Sequence, residues 1–143
     1  MKIPAKYKNK TVKSLRDIAT TWFNRCIRER DTDKPCISCL EYKTLQAGHF
    51  YSGGKYSRLK FKADNVHGQC LQCNYYGGVD AGVLYRKNII DRIETERVEY
   101  LDVLASNKTP YRWDRFELIE IILASQEVIK TQNFSLLKKC PFI

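Results

Sequence analysis

The chain has 143 residues, with 25 Lys+Arg against 16 Asp+Glu and a formal net charge of +9. Its length suits about one domain, and a composition that is 43% hydrophobic and 12% aromatic excludes wholesale disorder. No run approaches the roughly 18 apolar residues of a membrane span, and the basic start has no apolar segment behind it, so neither a spanning helix nor a secretory signal is expected. The six cysteines are therefore expected as thiols or metal ligands in a reducing cytosol, not as disulfides.

The charge is uneven. Residues 1–30 hold nine basic and two acidic side chains, a net +7, whereas 31–80 and 81–143 are each near balance at +1. A polyanion suits such a segment, because each neutralised phosphate releases counterions. A solvated, solubilising surface is the competing reading of the same charge. A membrane is not expected as a partner, because no lipidation signal is present.

In chain order, residues 1–13 read as a flexible basic arm. A helix is expected over 14–30, with Ser14 as its N-cap and Leu15, Ile18, Ala19, Trp22, Phe23, Cys26 and Ile27 on one stripe. Cys26 lies in that stripe and reads as a buried thiol. Residues 36–73 carry turn signals, Gly48, Gly53, Gly54 and Gly68 among them. Segments 45–50 and 58–61 are expected as the two strands of a hairpin. Past Gly82 the pattern is helical. Val83, Ile89, Ile90 and Ile93 mark one helix, and Val98, Leu101, Leu104 and Ala105 its continuation or a second. A last helix is expected from Trp113 to about Thr131, burying Phe116, Ile119, Ile122, Leu123, Gln126 and Ile129. Residues 134–143 have no clear pattern, and Cys140 has no assigned role.

Four cysteines form two knuckles, Cys36-x-x-Cys39 and Cys70-x-x-Cys73, separated by 30 residues. Each knuckle turns two sulfurs to one side, and two knuckles supply the four-thiolate cage that zinc prefers. One such pair alone could be redox-active; two favour structural zinc. The intervening stretch is longer than in a compact zinc ribbon and leaves room for a hairpin. Both histidines of the chain, His49 and His67, fall inside this frame.

Cys36-x-x-Cys39, Ala47-Gly48-His49-Phe50 and Asn65-x-His67-x-Gln69-Cys70-x-x-Cys73-Asn74 together resemble the zinc-stapled His-Asn-His (HNH, or ββα-metal) endonuclease motif. The fuller pattern is similar to the lambdoid phage NinG (Rap) family. It adds the basic run ending at Asp31, Leu59 and Phe61 before the Asn, and Tyr85, Arg86, Arg92 and Ile93 downstream. The likeness covers about residues 15–104.

The resemblance implies an α+β fold: a zinc-stapled ββα-metal core with a small β-hairpin, flanked by N-terminal and C-terminal helices. In that reading 14–143 is one nuclease domain, made of the 14–30 helix, a 36–82 core and a helical 83–143 part. The implied activity is metal-dependent hydrolysis of branched DNA recombination intermediates, such as Holliday junctions and D-loops. Imidazole titrates near neutral pH, which suits His49 as general base. Asn65 would orient it. Asn74, with His67 and Gln46, would hold a catalytic Mg²⁺ or Mn²⁺ beside the structural Zn²⁺. His67 has a second reading, packing against the zinc knuckle. The family pattern has an Asp where this chain has Gln46, and Gly48 stands where many HNH enzymes carry a metal ligand.

Lys55, Arg58, Lys60, Lys62, Arg86 and Arg92 are the expected DNA contacts, with Tyr51, Tyr56, Tyr75 and Tyr76 interleaved. Arg58, Lys60 and Lys62 also read as one solvated strand face. Arg112, Arg115 and Lys130 are balanced by nearby acids and are expected to make no DNA contact. Two cuts per junction suit a homodimer. The resemblance further implies a phage- or prophage-encoded protein in the cytoplasm of a bacterial host. The alternatives are a non-catalytic zinc-dependent DNA-binding module, in which Gln46 and Gly48 mark a lost metal site, and an HNH nuclease of other nucleic-acid specificity.

Overall fold

The structure, a computed structural model, describes residues 2–139; Cys140 lies outside them. Helix α1 (Val12–Arg30) begins two residues earlier than its apolar stripe suggests, because Thr11 is the cap and its Oγ accepts from Ser14 N at 3.1 Å. Ser14 is thus inside the first turn. The helix buries Leu15, Ala19, Phe23, Cys26 and Ile27 against α4 (Arg115–Thr131). The Cys26 thiol donates to the Ser125 carbonyl at 3.3 Å, and burial pushes its pKa up to about 11.

The α4 stripe differs from expectation. Leu118, Ile119, Ile121, Ile122, Ser125 and Val128 are buried, while Phe116 is 53% exposed. Apolar residues cover more than half of this helix's circumference, so periodicity alone does not choose the face. A capping box, Asp114 with Glu117, starts the helix at Arg115. Trp113 therefore stands before it, packed edge-on against Phe61 at 5.2 Å.

The arm expected to be flexible is docked. Tyr7, in a 3₁₀ turn at Ala5–Tyr7, is buried, and Gln126 Nε2 donates to its hydroxyl at 3.2 Å. The Arg115 guanidinium donates to the carbonyls of Tyr7, Lys8 and Lys10. An arginine at a helix start can serve three carbonyls at once, which sequence charge counting does not reveal.

The sheet has two antiparallel strands, β1 (Leu45–His49) and β2 (Val66–Cys70), with Gln46 opposite Gln69 and His49 opposite Val66. Residues 58–61, expected as a strand, instead form a 3₁₀ turn at Ser57–Leu59 and the turn that follows it. In a strand Leu59 and Phe61 would share a face. Here Phe61 enters the α1–α4 core, and Leu59 enters a second core with Ile37, Tyr85, Ile89 and Leu101. That second core is built on α2 (Gly78–Ile93) and α3 (Thr95–Ser106), two helices separated at Glu94, whose φ is +76°. The molecule is α+β, and its small sheet lies between the two helix pairs. No helix among the described residues is long and apolar enough to cross a membrane.

Candidate metal centre and catalytic site

The four knuckle sulfurs all lie within 4.8 Å of one another. Backbone geometry draws them together. Leu40, at φ +60°, closes the first knuckle with a bond from its N–H to Cys36 O at 2.9 Å. Ile37 N donates to Gly68 O at 2.9 Å, which ties this knuckle to β2. The α2 side chain Asn88, buried, donates to the carbonyls of Ile37 and Ser38 at 2.8 and 3.1 Å. Ser38 Oγ donates to Ala81 O and accepts from Gln69 Nε2. Sequence gives little sign of Ser38, and the one sign of Asn88 is a polar residue within the apolar stripe of α2.

The electrostatics suit a cation. Burial pushes the Cys36 thiol up, yet the amides of Cys70, Cys39 and Ser38 outweigh it and bring it down to about 7. Cys73 is pushed well above the ordinary thiol range by burial and by the neighbouring thiols Cys70 and Cys36. Four thiolates at this separation repel one another unless a cation sits between them. The donor set fits a metal such as zinc.

Asn65 is wholly buried. Its Nδ2 donates to Tyr51 O and Leu59 O at 2.9 and 3.1 Å, and its Oδ1 accepts from Tyr51 N at 2.9 Å. It therefore pins the chain leaving β1 just beyond His49. His49 Nε2 lies 2.9 Å from Lys60 O. A carbonyl only accepts, so Nε2 carries the proton and Nδ1 is the bare nitrogen. Nδ1 has no partner among the described residues. Burial, with a contribution from the Lys60 charge, holds the imidazole below its ordinary pKa. At neutral pH it is an uncharged base.

His67 does not share this role. It is 3% exposed, its Nε2 donates to Asp64 O at 2.9 Å, and its Nδ1 accepts from Arg30 Nη2 at 3.2 Å. Both nitrogens are used, so His67 is not a ligand for a catalytic metal or a phosphate. Its ring lies edge-on to Tyr85 at 6.2 Å. Burial, together with the Arg30 charge, lowers its pKa to about 3. Arg30 also donates to Ala63 O, Val66 O and Asp31, and Asp31 accepts from Gly68 N at 2.8 Å. The basic run at the end of α1 is thus a bolt onto β2.

Gln46 and Asn74 do meet: Asn74 Nδ2 donates to Gln46 Oε1 at 2.9 Å. Gly48 leaves room for Gln69, since a Cβ there would lie 2.2 Å from Gln69 Oε1. Strand alternation puts Gln46 and Gly48 on one face of β1 and His49 on the other, with Leu45 and Ala47. The expected Mg²⁺ or Mn²⁺ set of Asn74, His67 and Gln46 is therefore not assembled. His67 is spent, and two neutral carboxamides remain without a carboxylate. The four cysteines are the only metal-suited cluster of His, Cys, Asp and Glu among the described residues.

The expected DNA contacts are scattered because 58–61 is not a strand. Arg58 stacks over Tyr111 at 5.1 Å, Lys62 over Tyr100 at 5.3 Å and Lys55 over Tyr56 at 5.7 Å. Arg86 pairs with Asp102 at 2.7 Å, and Arg92 donates to Pro35 O at 2.8 Å. Lys60 is half-buried. Tyr75 and Tyr76 are exposed; Tyr51 packs between Phe50 and Tyr56.

A family model described as Bacteriophage Lambda NinG protein matches residues 2–134. Relatives named "Protein ninG" in Escherichia phage 933W and Escherichia phage lambda are each 38% identical over 109 residues, covering 75% of this chain and 52% of the relative. The Salmonella phage P22 protein of that name is 36% identical over the same coverage. The chain thus spans about half the length of these relatives. No solved structure matches.

Proposed function

The chain belongs to the bacteriophage lambda NinG family, and from that premise we propose that it is a zinc-stapled HNH-type endodeoxyribonuclease acting on branched recombination intermediates. The observation that carries the reading is the state of His49. Its Nε2 is held by Lys60 O, its Nδ1 is bare, and Asn65 fixes the adjoining chain. An imidazole so oriented takes a proton from water while the water oxygen attacks phosphorus. The P–O bond to the 3′ oxygen breaks, and that oxygen leaves with a proton from solvent. The products are a 5′-phosphate and a 3′-hydroxyl. The cysteine cage, filled by Zn²⁺, is structural and holds β2 against the first knuckle. The carboxamides of Gln46 and Asn74, without a carboxylate, do not fit a Mg²⁺ or Mn²⁺ ion. A homodimer would supply the two cuts that a four-way junction needs.

The test is nicking of a four-way junction in Mg²⁺ and in Mn²⁺, with binding measured in parallel. The reading predicts cutting by the wild type, and loss of cutting with retained binding in His49→Ala. The Gln46–Asn74 pair, lacking a carboxylate, favours one rival: a non-catalytic DNA-binding module. Wild-type binding without cutting in either metal would establish that rival.

A further inference from the structure

We propose that the cavity beside His49 seats the phosphodiester backbone of a DNA strand, with Arg16, Lys60 and Arg112 as its phosphate contacts; this rests on the nuclease reading above. The cavity measures about 460 Å³ and lies between the start of α1, the Gly53–Gly54 loop and residues 111–113. Its lining contains those three cations and no carboxylate. Gly53 borders both the cavity and the histidine: a Cβ built there would lie 3.5 Å from His49 Nε2.

These three cations line one concavity and lack the partners that hold other expected DNA contacts. Arg86 is paired with Asp102 and Arg97 with Asp64, while Arg58 and Lys62 cover tyrosine rings. The Arg16 and Arg112 side chains have no hydrogen-bond or ion-pair partner among the described residues. Among the described residues Lys60 Nζ has no hydrogen-bond or ion-pair partner, and it lies 5.7 Å from the centre of the Phe61 ring. Burial, then the Arg16 charge, lowers the Lys60 pKa against a weaker opposing effect of Asp17, so Arg16 and Lys60 repel one another across the concavity. Asp17, the neighbouring acid on α1, is taken by Lys13 at 3.2 Å. An anion filling this space relieves that repulsion.

The lining also says which part of a strand fits. Tyr111 is already covered by Arg58, and Trp113 is 6% exposed with its Nε1–H on Ser57 O. No aromatic face is open for a base to stack on, so the cavity meets charge and not sequence. Arg112 precedes α4 and makes no ion pair with the acids of that helix, contrary to the reading from sequence.

Fluorescence anisotropy of a labelled four-way junction, with the zinc-loaded 143-residue chain, tests this. Arg16→Gln/Arg112→Gln is compared with Lys108→Gln/Lys130→Gln, which removes the same charge from exposed positions elsewhere. The cavity pair is expected to weaken binding about tenfold or more near 0.1 M salt, and to reduce the salt-dependence slope by about two. The control pair leaves affinity and slope near wild type. A cavity pair indistinguishable from the control overturns the proposal. Displacement of the junction by millimolar inorganic phosphate as readily as by unlabelled DNA also overturns it, and assigns the cavity to free phosphate. Cutting is scored separately at saturating junction. Binding that depends on Arg16 and Arg112 without nicking removes the nuclease reading and keeps the groove; nicking with unchanged affinity in the cavity pair does the reverse.

Discussion

Asn74 donates its side-chain amide to the side-chain carbonyl of Gln46 across 2.9 Å, joining the turn after the second knuckle to the first strand. Both side chains carry an oxygen of the type a hard cation takes, but both are neutral and no carboxylate joins them, so the pair by itself does not make a Mg²⁺ or Mn²⁺ site. Affinity for Mg²⁺ or Mn²⁺ rises with the charge of the ligand set. Gln46→Asp is expected to tighten Mn²⁺ binding on the order of tenfold, about 1.4 kcal/mol, by isothermal titration. An unchanged isotherm would show that Asn74 and Gln46 do not face an ion.

The sulfur cage is expected to make folding depend on metal. A bound zinc contributes roughly 10–16 kcal/mol in comparable small sites. Metal analysis should find zinc in the purified chain, and a strong chelator should abolish the cooperative melting transition. A melting curve unmoved by chelator would refute the cage. Cys36→Ser should act like chelator, since it removes the sulfur that accepts from Cys70 N at 3.3 Å.

Acid should destabilise the fold through His67 and Asp31. His67 has an ordinary pKa of 6.5 and a folded value of about 3. Between those values the unfolded chain binds a proton that the folded chain does not, so stability falls as pH drops through this window. The loss is roughly 2–3 kcal/mol between pH 6.5 and 4. Asp31, held at about 2 by Arg30 and Gly68 N against the opposing effect of burial, adds to it below its ordinary 3.8. Urea midpoints measured from pH 7 to 4 should decline in the wild type and decline less steeply in His67→Gln, the remaining slope coming from the thiolates of the cage and from Asp31. An equal slope in both would show that His67 is not buried neutral.

Gly48 is required by its neighbour and not by its backbone. A Cβ there meets Gln69 Oε1 at 2.2 Å and Gln69 Cβ at 2.7 Å. Gly48→Ala should cost about 1–3 kcal/mol, and Gly48→Ala/Gln69→Ala should cost less than the two single changes summed. Strict additivity in denaturant unfolding would place the strain elsewhere.

Much of this architecture is legible in the chain. The α1 stripe, the two knuckles, the first strand and the helical second half follow from spacing, and Asn65 holds the loop as the motif implies. The second strand is misplaced because Leu59 and Phe61 look like strand alternation while serving two different cores. His67 reads as a ligand because sequence shows a histidine near metal-suited residues but not the Arg30 guanidinium closing its Nδ1. The tethered arm depends on Arg115, more than 100 residues away from Tyr7. The unpaired charge of Arg16 and Arg112 likewise arises only when the first helix and the approach to the last one meet.

His49 is proposed above as the proton acceptor in strand cleavage. Single-turnover nicking of a four-way junction against pH, for the zinc-loaded wild type and His49→Ala, tests that role most directly. An acid limb is expected below pH 6.5, because burial lowers the His49 pKa. A rate at least about 10²-fold slower is expected in the variant, with zinc content and junction binding retained. A variant that cuts at the wild-type rate, or a wild type that binds the junction and never cuts it, would contradict that role.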